Sequence, residues 1–462
     1  MVKNLKTVVI GAGPGGYTFA IRASQLGKEV TLIEREYFGG NCLNVGCIPT
    51  KALANASLKF YEAKTESQKL GLEADNVRLN WEKTQDWKDN EVVKPITSGV
   101  EQILKKNNVD VIKGEAKFVD NKTITVNNEE YTFDEIVIAV GGRPSEPEGF
   151  TYSDRVLNTT TALGLKEMPE SIILTAGGYL GAQFAGVFGR LGAKTIVLEP
   201  SKQLVGFFEK DIDRALQSKF DEYEDTTIIT GATAKKAEEQ GDKVVVTYEK
   251  DGEEHTVEAG HVLVNASNDY NTDTLNLENT DVELNHRGKV KINDKLQSNV
   301  EGIYAIGDAS ERGGSATLAY YHAKVAAAIV AGEVTQLDSN KVFPSTMVSS
   351  LEVGTVGMTK SQAKDAGYKV GQKKFLYAAN GRAQGLNETE GFIKLIFDKD
   401  SNKLLGAQLV GSRATDTISE LTIAIEKGLT LEDIAETIHS HPTVAEATVD
   451  AAEAALGLPI HG

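Results

Sequence analysis

The chain has 462 residues and a formal net charge of −17, with 40% hydrophobic and 7% aromatic residues. That composition supplies several ordinary cores, about three domains at roughly 150 residues each, and it excludes a protein that works by neutralising nucleic-acid phosphates, because no basic tract is present. Two cysteines exclude a disulfide-built scaffold, and no uninterrupted apolar run approaches the ~18 residues of a membrane-spanning helix.

No signal-like apolar segment precedes the first strand, so the expected location is the cytoplasm or another reducing compartment, with no membrane and no nucleic acid as partner. That strand covers Thr7–Ile10. Gly11–Gly16 breaks it, a helix follows over Tyr17–Leu26, and Glu29–Ile33 is the next strand, which makes one βαβ unit. The turn Gly11-Ala12-Gly13-Pro14-Gly15-Gly16 fits G-x-G-x-x-G, and Glu34 follows 18 residues after Gly16. Glycines let the backbone approach a pyrophosphate, the helix start offers unpaired N–H groups, and the acid bonds a ribose diol. The alternative is a tight turn that holds no ligand.

Cys42 and Cys47 stand within Gly39–Lys51, four residues between them. A helix predicted over Lys51–Lys59 places them near a helix start, where a thiol becomes a better thiolate. A reversible dithiol/disulfide couple is the natural chemistry. Two buried small hydrophobes and half of a zinc site are the alternatives, and zinc lacks further cysteine ligands. Lys51 either sets a cation near an isoalloxazine ring, if the dinucleotide is a flavin, or lies on the surface.

Ile136–Val140 reads as a buried strand leading to Gly141-Gly142-Arg143-Pro144, with a linker at 144–147. A second βαβ unit follows: strand Ile172–Leu174, turn Gly177–Gly181, helix Gln183–Leu191, strand Thr195–Leu198, with Glu199 18 residues after Gly181. Phe207-Phe208 read as packing residues and His322 as a core or interface residue. Strand Ile303–Ile306 runs into Gly307-Asp308. Beyond about residue 341 the pattern becomes α+β: Phe392–Phe397 and Leu404–Val410 form a hairpin, a helix over Asp416–Lys427 stops at Gly428, and Thr430–Asp433 forms a capping box. His439-Ser440-His441-Pro442-Thr443 with Glu446 is a second candidate site, since a histidine oriented by a carboxylate moves protons near neutral pH. Metal ligands, surface histidines or a helix cap are the other readings.

Taken together, Gly39–Lys51, Tyr304-Ala305-Ile306-Gly307-Asp308, and His441-Pro442-Thr443 with Glu446 resemble the two-cysteine flavoprotein disulfide reductases, over essentially the whole chain. Leu43-Asn44-Val45-Gly46 and Ile48-Pro49-Thr50-Lys51 resemble their lipoamide branch. The resemblance implies an α/β fold: two Rossmann-like dinucleotide-binding domains, for FAD and NAD, plus a C-terminal α+β dimerisation domain. Residues 1–145 with 271–340 would bind FAD, 146–270 would form the NAD-binding-like domain, and 341–462 would dimerise. It implies tightly bound, non-covalent FAD on Gly11, Gly13, Gly15, Gly16, Glu34, Gly141 and Asp308, and NAD as substrate on Gly177, Gly178, Gly181 and Glu199. Cys42 would be the interchange thiol and Cys47 the flavin-side thiol, with Lys51 beside the ring. His441 and Glu446 would come from the partner of an obligate homodimer. Dihydrolipoamide on a lipoyl domain, or the acyltransferase core of a 2-oxoacid dehydrogenase complex, is the implied partner.

The sequence also departs from that family. Val140 replaces a threonine, Ala176 the first glycine of the second turn, Gln183 a glutamate expected to pair with Lys51, Asn268 an arginine and Leu351 a proline. Were φ positive at Ala176, the strain would be about 1 kcal/mol or more. Two alternatives therefore stand beside the NAD-linked reading: a disulfide oxidoreductase with an impaired nicotinamide site and another electron partner, and a non-enzymatic flavoprotein that serves as an assembly subunit or redox sensor.

Overall fold

A computed structural model describes residues 2–338 and 340–461. Contacts divide the chain into two compact units: one takes the chain through Ala56, Arg78–Met168 and the stretch from Ala266, and the other takes Ser57–Val77, Pro169–Asn265 and the stretch from Asn340. The division by expected ligand is a different one. In contact terms 57–77 leaves the first stretch, 146–168 and 266–270 join it, and 169–265 clusters with the C-terminal stretch.

The first unit is built on a mostly parallel sheet. Strand β1 (Lys3–Ile10) pairs with strand β2 (Val30–Glu34) on one side and with Glu129–Ile138 on the other, both in parallel. Asp110–Lys113 extends the sheet beyond β2, and Ile303–Ala305 adds to Glu129–Ile138. Val8, Val9, Leu32, Ile136, Val137 and Ile138 are fully buried, which explains why these strands read as continuous apolar runs: a parallel sheet is covered on both faces. Helix α1 (Pro14–Gln25) buries Phe19, Ala20 and Ala23, and the Ala316–Val330 helix buries Ala319, Ala323, Ala326 and Ala327. The carboxyl ends of these strands open onto the glycine turn, where a doubly wound sheet takes its ligand.

Helices start earlier than periodicity predicts. Helix α1 begins at Pro14, three residues before Tyr17, because Pro at the first position is pre-set for a helix. The second glycine-turn helix runs Gly178–Arg190, five residues ahead of Gln183. In both cases the last glycine of the turn is already helical, and glycine's low propensity hid it. Helix α2 (Gly40–Asn44) was not anticipated. Helix α3 (Cys47–Tyr61) starts four residues before Lys51, with Pro49 tolerated in its first turn.

The second unit holds parallel strands Ser171–Leu174, Lys194–Glu199, Thr226–Thr230 and His261–Leu263 and an antiparallel C-terminal sheet. There Gly391–Asp398 pairs with Leu404–Gly411 as the alternating pattern predicted. Helix Ala414–Lys427 packs on that sheet, and the Thr430–Asp433 capping box forms in both directions. Arg190 is buried; its guanidinium donates to Tyr223 Oη at 3.1 Å and to the Ser349 and Ser350 carbonyls at 2.6 and 2.8 Å. This fastens the Gly178–Arg190 helix beside Leu351. Of the two phenylalanines expected to pack, Phe208 is buried, and Phe207, though exposed, rests its ring against that of Phe208 with centroids 4.4 Å apart. His322 is buried, in line with a core reading.

Candidate active site

The two glycine turns are built on one plan. Glu34 accepts the Ala12 N–H at 2.6 Å and the Glu36 N–H at 2.7 Å. Glu199 accepts the Gly177 N–H at 2.8 Å and the Ser201 N–H at 2.7 Å. Each acid expected to hold a ribose therefore also clasps its own turn, a through-space role that no local pattern signals. Each carboxylate oxygen keeps a second lone pair for a hydroxyl. The last glycine of each turn is equally constrained: a Cβ on Gly16 would lie 1.7 Å from Gly11 O, and one on Gly181 would lie 1.9 Å from Ala176 O.

The turns differ at their first residue. Gly11 has φ +100°, but Ala176 is not among the positive-φ residues, and in the second turn the left-handed position has moved to Gly178, φ +60°. The strain anticipated at Ala176 does not arise. The Gly178 N–H instead donates to the Leu204 carbonyl at 2.8 Å, so that amide is committed to the chain. Gln183 is buried and donates to the Tyr179 carbonyl of its own helix at 3.2 Å.

The cysteine segment is held by its asparagines. Asn41 Nδ2 donates to the Gly142 carbonyl at 2.6 Å, and Asn44 Nδ2 donates to the Phe38 and Gly40 carbonyls at 2.8 and 2.9 Å. Cys42 lies within α2 and Cys47 is the first residue of α3. Both thiols are free, and they are hydrogen-bonded to each other. The pair is asymmetric. The Cys42 hydrogen bond, aided by Lys51 and opposed by burial, lowers Cys47 to about 7. Cys42 is pushed up by its bond to Cys47 and then by burial. Burial lowers Lys51, and the two cysteines partly offset this. The thiolate thus settles on Cys47, at a helix N-terminus and beside a cation.

Asp308 stands in the short Gly307–Ala309 turn, and its charge acts on Cys47. Burial raises its carboxyl, with Lys289 as the opposing charge. Gly141, φ +65°, lies between the Glu129–Ile138 and Gly142–Pro144 strands, and its carbonyl accepts the Asn271 N–H at 3.0 Å. Asn268–Tyr270 pairs antiparallel with Gly142–Pro144, so Asn268 occupies a two-stranded ribbon and not a free loop. Asn271 Nδ2 also donates to the Val140 carbonyl at 2.9 Å. The uncapped helix start at Gly13, the clasping Glu34 and Asp308, whose charge reaches Cys47, fit a dinucleotide flavin. Its pyrophosphate would meet the turn and its ribityl chain would meet Asp308.

The histidines divide their roles. His439 Nε2 meets Glu420 at 2.7 Å, and its Nδ1 meets the Thr437 carbonyl at 2.9 Å. Burial lowers His439, but these partners outweigh it and hold it above its ordinary value. His441 Nδ1 meets Glu446 Oε1 at 2.9 Å, while Glu446 Oε2 accepts the Thr443 N–H at 2.7 Å. Burial opposes ionisation of Glu446, yet the Thr443 N–H and His441 hold it below the usual carboxylate range. An ionised carboxylate only accepts, so Nδ1 carries the proton and Nε2 is left as the base. The His441 side chain is 83% exposed, which suits a group that acts on something outside its own unit. Cys42, Cys47, Lys51, Asp308, Gly11–Gly16 and Glu34 belong to the first unit, and Gly177–Gly181, Glu199, His441 and Glu446 to the second.

Replacing Lys51 by methionine removes the cation that favours the Cys47 thiolate. Alkylation of Cys47 in the reduced protein at pH 7 is expected to slow about threefold to tenfold, the cost of ~0.7–1.4 kcal/mol of lost charge interaction. An unchanged pH profile of alkylation would remove Lys51 from the site.

Comparison with known proteins places the chain among related sequences. The model of the pyridine nucleotide-disulphide oxidoreductases matches residues 5–323, and that of their dimerisation domain matches residues 343–452. A dihydrolipoyl dehydrogenase of Bacillus subtilis is 46% identical over 459 residues, covering 98% of this chain and 97% of its own length. One from Geobacillus stearothermophilus is 44% identical over 460 residues, covering 99% and 97%. Among solved structures, a Cu(II) complex of the HOCl-induced flavoprotein disulfide reductase RclA from Escherichia coli superposes with a TM-score of 0.88 at 25% identity, over 98% of this chain and 100% of that one.

Proposed function

The chain belongs to the pyridine nucleotide-disulphide oxidoreductases, and from that premise we propose how its residues carry the reaction. Its activity is that of a dihydrolipoamide dehydrogenase, a flavoprotein whose dithiol substrate is oxidised and whose NAD+ is reduced. The observation that carries the residue assignment is the asymmetric Cys42–Cys47 pair at the start of α3, beside Lys51. FAD, when bound, takes up the electron pair of the dithiol and yields it as hydride to the nicotinamide.

His441, of the partner subunit in a homodimer, removes a proton from dihydrolipoamide through Nε2, with Glu446 holding the ring and stabilising the imidazolium. The substrate thiolate attacks Cys42 of the disulfide form. A substrate–Cys42 bond forms, the Cys42–Cys47 bond breaks, and the electron pair leaves on Cys47. Cys47 is suited to receive it because its thiolate is the favoured one. The second substrate thiol then attacks the first sulfur, closes the cyclic disulfide, and passes its proton to the departing Cys42. Gly11, Gly13, Gly15, Gly16, Glu34, Gly141 and Asp308 would hold FAD. Glu199, Gly177, Gly178 and Gly181 would hold NAD, whose ribose diol suits Glu199 where a 2′-phosphate would be repelled.

The dimerisation domain supports a homodimer. The partner reading is a lipoyl domain, or the acyltransferase core of a 2-oxoacid dehydrogenase complex. No helix among the described residues is long and apolar enough to cross a membrane, and the reversible thiol pair suits the cytoplasm.

The test is anaerobic reduction of the purified yellow protein. Dihydrolipoamide and NADH are each expected to bleach the flavin and raise long-wavelength absorbance, at comparable rates. The committed Gly178 amide and Gln183 favour a second reading, a weakened nicotinamide site; reduction by the dithiol but not by NADH would establish it. Failure of both reagents overturns the assignment.

A further inference from the structure

His441 sits on a stretch of chain that secondary structure does not hold. The Leu431–Glu436 helix closes at Thr437, and the next helix begins only at Glu446. Among the described residues, the backbone N–H groups of Ile438, His439, Ser440 and His441 make no hydrogen bond, and Ile438 is 97% exposed. Side chains do the fastening. Downstream of the base, Thr443 Oγ1 donates to the Ser440 carbonyl at 2.8 Å, and Asn380 Nδ2 donates to the Thr443 carbonyl at 3.2 Å. Upstream of it the tie is His439, whose side chain is 10% exposed against 83% for His441.

The two bonds of His439 fix its charge. Nε2 lies 2.7 Å from Glu420 Oε1, and Nδ1 lies 2.9 Å from the Thr437 carbonyl. A carbonyl, and a carboxylate at neutral pH, only accept. Neutral imidazole has one N–H and satisfies one of the two; the imidazolium has two and satisfies both. Glu420 stands on the Ala414–Lys427 helix, which packs on the C-terminal sheet, so the bond anchors the loose stretch to a rigid element. The charged groups that bear on His439 are Glu420 from that helix and Glu446 from the Glu446–Leu456 helix, both acids. His439 in turn helps to keep Glu446 ionised. His441 differs in kind: Nδ1 is bonded to Glu446, and Nε2 has no acceptor among the described residues.

We propose that His439 is the positioning residue for His441, a standing imidazolium whose two N–H bonds fasten the chain before the base to Glu420 and to the Thr437 carbonyl. The inference rests on the role assigned to His441. His439 neither takes nor gives a proton in the reaction. It sets where the His441 Nε2 lone pair points, and orientation of a reacting group is a large part of its rate.

Ring-nitrogen NMR of the oxidised holoenzyme with isotope-labelled histidine reads the charge. The His439 signals are those absent from His439→Gln or, should that variant not fold, those displaced in Glu420→Gln. Both nitrogens are expected to be protonated at neutral pH, and a neutral ring overturns the proposal. His439→Gln, which keeps no charge, is expected to slow flavin reduction by dihydrolipoamide about tenfold, the effect of one lost charge-assisted hydrogen bond. Reduction by NADH should be unchanged. His439→Lys should recover most of the rate, because an ammonium still pairs with Glu420. Glu420→Gln should slow the dithiol reaction as much as His439→Gln does, and the double variant no more than either, since the pair acts as one unit. Equal slowing of both half-reactions marks a merely structural contact and overturns the proposal, as does a lysine variant no faster than the glutamine one. A His441→Gln enzyme that dihydrolipoamide still reduces at the full rate strikes the base assignment instead, and the NMR then decides the charge of His439 by itself.

Discussion

With His441 replaced by glutamine, flavin reduction by dihydrolipoamide is expected to fall about 10²–10⁴-fold, the range of a lost general base. NADH-driven reduction of an artificial acceptor should persist, because it needs no proton taken from a dithiol. Stopped-flow traces for the two half-reactions check the split. If both fall together, His441 serves the fold or the dimer and not the chemistry. Glu446→Gln should fall less, since the ring stays but loses the acceptor that fixes its tautomer. The pH dependence follows in sign. Glu446 is held below the usual carboxylate range, so it remains ionised as pH falls through that range and keeps its hold on the ring. The same depressed value means that the stability Glu446 contributes is fully present above its unfolded pKa of about 4.3. It is lost only as pH falls through the lower folded value. The glutamine variant should lack that acid-side loss.

Gly16→Ala and Gly181→Ala should separate the two nucleotide sites. In each, the new methyl meets a backbone carbonyl, at 1.7 Å from Gly11 O and 1.9 Å from Ala176 O, and no flexible side chain can give way. Overpacking of this kind costs about 1–3 kcal/mol, or about 5-fold to 150-fold in affinity. Gly16→Ala should purify with substoichiometric flavin and release it readily, as titration of the apoprotein with FAD would show. Gly181→Ala should stay yellow and be reduced by dihydrolipoamide at the wild-type rate, but need far more NADH. Ala176→Gly serves as the control. Because Ala176 is not in a left-handed conformation, relief of strain is not available, and NADH affinity should change by less than about twofold, within the ~0.5 kcal/mol expected of a position without a special backbone demand. A large gain in that variant would return the impairment to Ala176.

Much of the site was legible because its signals are local. Gly11–Gly16 followed by Glu34, Gly177–Gly181 followed by Glu199, and the spacing of Cys42 and Cys47 each depend on a few neighbouring residues. Strand periodicity reached the sheet for the same reason, and the Thr430–Asp433 capping box spans only two intervening positions. Helix starts were read late at Tyr17, Lys51 and Gln183, because glycine and proline mask a first turn that backbone geometry has already made helical.

What the sequence determined by itself is the chemistry on offer: a thiol pair, two dinucleotide turns each with an acid, and a histidine five residues from a carboxylate. Tertiary structure decided how those groups are biased. It gave the low pKa to Cys47 and not to Cys42 by joining the two thiols in a hydrogen bond that favours the Cys47 thiolate, with Lys51 in support. It turned Glu34 and Glu199 into clasps of their own turns, moved the left-handed position from Ala176 to Gly178, and bonded His439 to Glu420 and His441 to Glu446. The reason is physical. Residue type and spacing fix which bonds a segment can make, whereas burial, charge and hydrogen-bond partners come from residues far away in the chain and exist only once the chain has folded.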